Sequence, residues 1–131
     1  YRAAQCLWND NRHTMALFFQ NRASEIFGVD IHPAAKISGG VMIDHATGVV
    51  IGETSVIDEN VSIYQGVTLG GKGFENGDRH PKIKSGVSIF ASSTILGNIT
   101  IEKNAKVAAG SLVLKDVKKN TTVAGIPAKE I

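Results

Sequence analysis

Two short strings carry most of the chemistry this sequence could perform, Asp44-His45 and Arg79-His80. An imidazole with an ordinary pKa of about 6.5 is the natural general base near neutral pH, which makes His45 a candidate for taking a proton from a substrate. Such a base needs a partner, commonly a carboxylate, to hold its tautomer, and Asp30 and Asp44 are both candidates. Arg79 offers a planar guanidinium fork that matches a carboxylate, with His80 beside it. Gly70 and Gly71 leave backbone N–H groups open to an incoming ligand. The glycines alone are a weak signal, and they do not match a phosphate-cradling loop between strand and helix.

The elements that must position these groups follow from a six-residue repeat. Ile31, Ile37, Ile43, then Ile51, Ile57, Ile63, Leu69, then Ile83, Ile89, Ile95, Ile101, Val107 and Val113 form three registers. One break inserts two residues between Ile43 and Ile51, and the other inserts eight between Leu69 and Ile83. Two residues before each aliphatic stands a small or β-branched residue, such as Ala35, Ser55, Val61, Ser93 or Ala105. Strand side chains alternate with period two, so both columns face the same side. Three residues after the aliphatic comes Gly40, Asn60, Gly66, Gly86, Asn98, Asn104 or Gly110, types that tolerate the left-handed backbone of a tight corner. Each hexapeptide is therefore a strand and a corner, and three of them wind into one coil of a parallel, triangular β-solenoid. A narrow interior agrees with only 6% aromatic residues.

Function is expected where the repeat is violated, and both strings lie at the two insertions. One regular coil above Asp30 is residue 48, which leaves His45 about 10 Å short at strand rise. Spacing alone does not pair them; a bulge would have to. The second insertion, polar and glycine-rich, is expected to project as a loop at about 70–81.

Before the repeat, Tyr1, Ala4, Leu7 and Trp8 share a helical stripe. After Asn9-Asp10, the spacing of Met15, Phe18, Phe19, Ala23 and Ile26 predicts an amphipathic helix ending at Phe27-Gly28. Residues 1–27 thus read as a helical segment, the remnant of an N-terminal helical domain, and 28–131 as the solenoid. Lys115 to Thr122 breaks the repeat, and Gly125-Ile126-Pro127 is expected to end the solenoid in a turn.

Composition narrows the class. The chain has 131 residues and a net charge of +2, and no apolar run approaches the ~20 residues of a membrane span. Its first residue is Tyr1, no secretory leader follows, and the chain reads as a fragment. One cysteine, Cys6, excludes an internal disulfide and suits a reducing cytoplasm. Residues 1–71 carry four basic and seven acidic side chains, and residues 72–131 carry ten and five. The basic half suits a small polyanion, but its scattered lysines without interleaved aromatics make a weak nucleic-acid footprint.

Five strings then carry a family resemblance: residues 29–37, Asp44-His-Ala-Thr-Gly-Val-Val-Ile-Gly-Glu53, Val67-Thr-Leu-Gly-Gly71, Asp78-Arg-His-Pro-Lys-Ile83 and Ala124-Gly-Ile-Pro-Ala128. Over essentially all of residues 1–131 the chain resembles bacterial serine O-acetyltransferase, of the hexapeptide-repeat acyltransferase superfamily. The resemblance implies a mainly β fold, a left-handed parallel β-helix with a short N-terminal helical segment. It also implies acetyl transfer from acetyl-CoA to the hydroxyl of L-serine in cysteine biosynthesis, with no metal. By motif match His45 would be the general base, Asp30 its partner, and His80 a second site histidine. Asp44 would hold the serine amino group and Arg79 its carboxylate. Gly70 or Gly71 would donate N–H groups to the oxyanion. Gly71, Ala91, Lys106 and Ala109 would line coenzyme A. Lys72, Phe90 and Ser92 depart from the small residues of relatives along that path.

The resemblance further implies a homotrimer, paired into a hexamer in a full-length chain. An O-acetylserine sulfhydrylase partner would bind only through a C-terminal tail that this sequence lacks. No nucleic-acid or membrane partner is expected. Three other readings compete: a hexapeptide acetyltransferase for a sugar or xenobiotic hydroxyl, a zinc enzyme using His32, His45 and His80, and a non-catalytic scaffold. Arg79 separates the first from a serine enzyme, because a neutral sugar has no use for a guanidinium. A base beside an anion clamp speaks against the last.

Overall fold

The structure is a computed structural model that describes residues 1–73 and 76–131. Two helices come first, α1 (Arg2–Asn9) and α2 (His13–Phe27). Gly28, at φ 65°, ends α2 in the left-handed conformation where the sequence predicts the stop. Short strands follow: β1 (Asp30–Ile31), β2 (Lys36–Ile37), β3 (Met42–Ile43), β4 (Val50–Ile51), β5 (Val56–Ile57), β6 (Ser62–Ile63), β7 (Thr68–Gly70) and β8 (Lys82–Ile83). The series continues with β9 (Ser88–Ile89), β10 (Thr94–Leu96), β11 (Thr100–Ile101), β12 (Lys106–Val107), β13 (Leu112–Val113), β14 (Thr122–Gly125) and β15 (Ala128–Glu130).

Every third strand stacks in parallel register. The first sheet runs β1-β4-β7-β10-β13, the second β11-β8-β5-β2, and the third β15-β14-β12-β9-β6-β3. These three faces make a solenoid, and the chain turns one edge of a prism between each strand and the next. Both insertions are absorbed without loss of register: Ile31 pairs with Ile51 across the first, and Leu69 with Ile95 across the second. The interior is the two predicted columns. Ile57, Ile63, Leu69, Ile83, Ile89, Ile95 and Ile101 are fully buried, with Ala35, Val61, Val67, Val87 and Ala105 between them. Each such isoleucine stabilises the fold by roughly 1.5–3 kcal/mol through burial.

Two details differ from the sequence reading. The corner expected at Asn98 is made by Gly97, at φ 95°, because β10 extends one residue to Leu96. The solenoid also continues past residue 115. Val117 bridges to Ile101, and β14 stacks on β12 with Val107 opposite Val123, so the final coil is shortened rather than abolished. The chain then reverses through Ile126-Pro127 into β15, which pairs antiparallel with β14 and closes that end.

At the other end, α1 lies across the first coil. Tyr1 Oη donates to the Ala35 carbonyl, as does Gln5 Nε2 at 3.0 Å, and Arg2 Nη2 donates to the Ser38 carbonyl at 2.8 Å. Trp8 stacks on His13 and meets His32 edge-on, with centroids 4.1 and 5.0 Å apart.

Candidate functional site

The first insertion forms a bulge on the edge between the third and first sheets, after β3 and before β4. His45 and Ala46 adopt φ of 58° and 65°, a conformation that non-glycine residues hold only when their surroundings impose it. The constraint is a set of backbone bonds: Ala46 N–H to the Asp44 carbonyl at 2.7 Å, Gly48 N–H to the Gly28 carbonyl at 2.7 Å, and Gly66 N–H to the Thr47 carbonyl at 2.9 Å. The result holds the His45 side chain outward, 72% exposed. Asp44 accepts the His45 backbone N–H through Oδ1 at 3.1 Å, and its Oδ2 lies 3.8 Å from His45 Nε2, too far for an orienting hydrogen bond. Asp30, half-buried at the start of β1, accepts instead from Gln20 Nε2 of α2 at 2.6 Å. Among the described residues no hydrogen bond or ion pair joins Asp30 to His45 in the single chain.

The second insertion returns to the solenoid at residues 78–81, on the next edge, between the first and second sheets. Here the structure gathers a dense polar cluster. Thr54 Oγ1 accepts the backbone N–H of Arg79 at 3.0 Å and of His80 at 3.1 Å, and lies 2.8 Å from His80 Nδ1. The Thr54 backbone N–H donates to the same Nδ1 at 3.1 Å. Lys82 Nζ donates to the Thr54 carbonyl at 2.9 Å, the His80 carbonyl at 2.7 Å and Asp78 Oδ1 at 2.5 Å. That ammonium holds the Asp78 carboxyl below its usual range. Arg79 Nη2 donates to Glu53 Oε2 at 3.0 Å, and its aliphatic stem packs over Gly71. His80 is buried, with Cδ2 and Nε2 of its ring set against the α-carbon of Gly52.

Burial, and then the Arg79 guanidinium, push the His80 pKa below its ordinary value, against the opposing Glu53 carboxylate. His32 follows β1 at the same edge, one coil before Gly52, and accepts the Ala34 N–H on Nδ1 at 3.1 Å. Burial lowers its pKa as well, opposed by Glu53 and Asp30. A cleft of about 310 Å³ opens beside this cluster, lined by Trp8, Lys36, Glu53, Thr54, Asp78 and Lys82 among others.

The candidate residues therefore divide between two edges of one prism. On the first edge, successive corners are linked upward by Gly66 N–H to Thr47, Ser92 N–H to Gln65 and Gly110 N–H to Ala91. His45 shares that edge with Ala91 two coils on and Ala109 three coils on, about 10 and 14 Å away at ~4.8 Å per coil. Exposed Lys106, in β12, lies on the adjoining third face. On the second edge stand Gly70, Gly71, Arg79 and His80. Lys72 lies across Gly97 and donates to the Leu114 carbonyl at 3.0 Å, and Phe90 stacks on Tyr64 at 5.3 Å. Phe74 and Glu75 of the projecting loop lie outside the described residues.

Thr54, Lys82, Glu53 and Gly52 were not singled out from sequence. The signal existed: Ile57 pairs with Ile83, so Thr54, three residues before the first, sits under His80, three before the second. Among the described residues, no group of three or more His, Cys, Asp or Glu side chains is gathered as a metal site would require, and no helix is long and apolar enough to cross a membrane.

No protein-family model matches the chain. It is 59% identical over 129 residues to a serine acetyltransferase of Haemophilus influenzae, covering 98% of this chain and 48% of that one. The structure of soybean serine acetyltransferase complexed with serine superposes with a TM-score of 0.96 at 56% identity, over 99% of this chain and 54% of that one. A serine acetyltransferase complexed with CoA superposes at 0.95, with 56% identity, over all of this chain and 54% of that one. Bacterial and plant proteins match alike, so the likeness is not confined to bacteria. The chain spans about half the length of the curated relatives it matches.

Proposed function

We propose that this chain, homologous over its whole length to serine acetyltransferases of bacteria and plants, carries the acetyl-transfer site of such an enzyme. The observation that carries the reading is that one edge of the prism holds an imidazole outward, His45, while the next edge carries a guanidinium and an imidazole locked onto the solenoid by Thr54 and Lys82. In the reaction, L-serine and acetyl-CoA give O-acetyl-L-serine and CoA, feeding cysteine biosynthesis. His45 takes the proton from the serine hydroxyl as that oxygen attacks the thioester carbonyl. The carbon–sulfur bond then breaks, and the proton passes to the leaving thiolate. Asp30 is assigned as the partner that orients His45, exchanging its bond with Gln20 for one to the imidazole. Asp44 holds the serine ammonium, and Arg79 receives the serine carboxylate, trading Glu53 for it. Backbone N–H groups at Gly70 or Gly71 are assigned to the oxyanion.

Coenzyme A runs along the first edge, where Ala91 and Ala109 keep the surface low and Lys106 offers a cation to its phosphates, with Gly71 on the facing edge. The two edges cannot meet within one prism, which supports a homotrimer in which the first edge of one protomer faces the second edge of its neighbour. A left-handed winding, the descent of residues 1–27 from a larger helical domain and hexamer formation in a longer chain belong to the same reading. So do a cytoplasmic setting, which the lone thiol suits, and sulfhydrylase binding through a tail beyond residue 131.

The test is CoA release from acetyl-CoA with and without L-serine, beside His45→Ala. Loss of the base lowers kcat by about 10²–10⁴-fold with the fold intact. Serine-dependent release that the substitution leaves unchanged would refute the mechanism.

A further inference from the structure

The hydrogen-bond count at Thr54 decides what kind of group His80 is. A threonine hydroxyl has one proton to give and two lone pairs to receive. Both lone pairs are taken, by the N–H groups of Arg79 and His80. The hydroxyl proton is left for two acceptors, His80 Nδ1 at 2.8 Å and the Asp78 carboxylate that Thr54 also helps to stabilise. The Thr54 backbone N–H, which can only donate, also points at Nδ1, at 3.1 Å. An imidazole nitrogen that receives donors carries no proton of its own, so the ring proton sits on Nε2.

We infer that Thr54 fixes His80 as the neutral Nε2–H imidazole, so that His80 serves the site as a hydrogen-bond donor rather than as a second base. Thr54 and Lys82 are its positioning residues. Among the described residues His80 Nε2 has no hydrogen-bond partner, and it lies against the bare α-carbon of Gly52. The N–H is thus available to an acceptor arriving from outside the chain. Lys82 reinforces the arrangement by binding the carbonyls of both Thr54 and His80, which prevents the returning segment from sliding along the edge. His45 contrasts on every count: exposed, on another edge, and with neither ring nitrogen bonded within the chain. Of the two histidines at the insertions, one stands outward with its ring nitrogens unbonded and the other is committed to giving a hydrogen bond. The acceptor is a carboxylate or carbonyl oxygen of the amino-acid substrate, a role that rests on the serine acetyltransferase reading; the tautomer does not.

Nitrogen-15 NMR of histidine-labelled protein at neutral pH reads the tautomer directly, with His80→Gln supplying the assignment. The expected spectrum shows His80 with Nε2 protonated and Nδ1 bare; a proton on Nδ1 would overturn the inference. Kinetics supply the second arm. Gln places an amide N–H near the Nε2 position and Asn places one near Nδ1, so His80→Gln should retain at least tenfold more kcat/KM for serine than His80→Asn. Equal loss in both would overturn the donor role. Thr54→Val removes the hydroxyl from all three of its contacts, those with the Arg79 and His80 N–H groups and with Nδ1, and should raise KM for serine by about tenfold or more, with kcat less affected, and Thr54→Ser should restore it. Failure of Ser to rescue would remove Thr54 from the role. If the chain does not acetylate serine at all, the functional reading fails and the NMR result alone decides the tautomer.

Discussion

Substituting Gly52 by alanine tests the seating of His80 with a single methyl group. A Cβ built on Gly52 would lie 2.0 Å from His80 Cδ2, 2.1 Å from Nε2 and 2.8 Å from Cε1. Carbon atoms pack at about 3.5 Å, so the ring must retreat by roughly 1.5 Å. A shift of that size carries Nδ1 out of reach of Thr54, whose hydroxyl and backbone nitrogen now stand at 2.8 and 3.1 Å. The Gly52 backbone itself is not left-handed, so alanine can adopt it and the whole cost falls on the ring. Losing two hydrogen bonds costs about 1–3 kcal/mol. For a chain of this size that corresponds to a Tm lower by roughly 4–12 °C. Misplacing a binding group by about 1 Å costs on the order of 10²-fold in rate. The assay is thermal melting followed by circular dichroism, with kcat/KM for serine measured on the same samples. Gly39→Ala is the control, because a Cβ there meets nothing within 4 Å. Gly52→Ala with unchanged Tm and kcat/KM would show that the ring is not seated over this α-carbon in the working protein.

Two further predictions follow from the same cluster. Arg79→Lys keeps the charge but loses the planar fork, so KM for serine should rise by about 10–100-fold while KM for acetyl-CoA stays within error; equal rises in both would place Arg79 elsewhere in the reaction. Folding stability should also depend on pH through His32 and His80, whose folded pKa values lie below the ordinary one because both rings are buried. The unfolded chain takes up these protons first, at about pH 6.5, so their contribution is complete above that pH and is lost as pH falls through the lower folded values. Urea midpoints measured between pH 8 and 5 should fall, and His80→Gln should flatten the slope; an unchanged slope would remove His80 from the effect.

The interior was legible because one local rule dictates it. A coil that must fill a narrow prism needs an aliphatic every six residues and a small side chain two places earlier, and Ile57, Ile83 and Ala105 obey this whatever lies around them. Corners were legible where glycine or asparagine announces them, as at Gly40 and Asn60. They were not legible at His45, Ala46 and Ser92, which take positive φ because stacked neighbours force it rather than because their side chains prefer it.

The site divides along the same line. His45 and Arg79 stood out as repeat violations, but Thr54 and Gly52 look like ordinary repeat members and acquire their roles only through register. An eight-residue insertion separates the coil of Thr54 from that of His80, and only the pairing of Ile57 with Ile83 shows that these two corners lie in contact. Even that register does not bring His45 to Arg79, since the two leave the prism at different edges. A repeat specifies how each coil meets the next one in the same chain; it carries no instruction about which edge faces which in a second copy. If catalysis needs the base and the clamp together, the missing instruction is written in the outward residues of those two edges. Mixing a His45→Ala chain with an Arg79→Ala chain reads that instruction: shared sites would regain activity in mixed assemblies that neither chain shows alone, and sites confined to one chain would not.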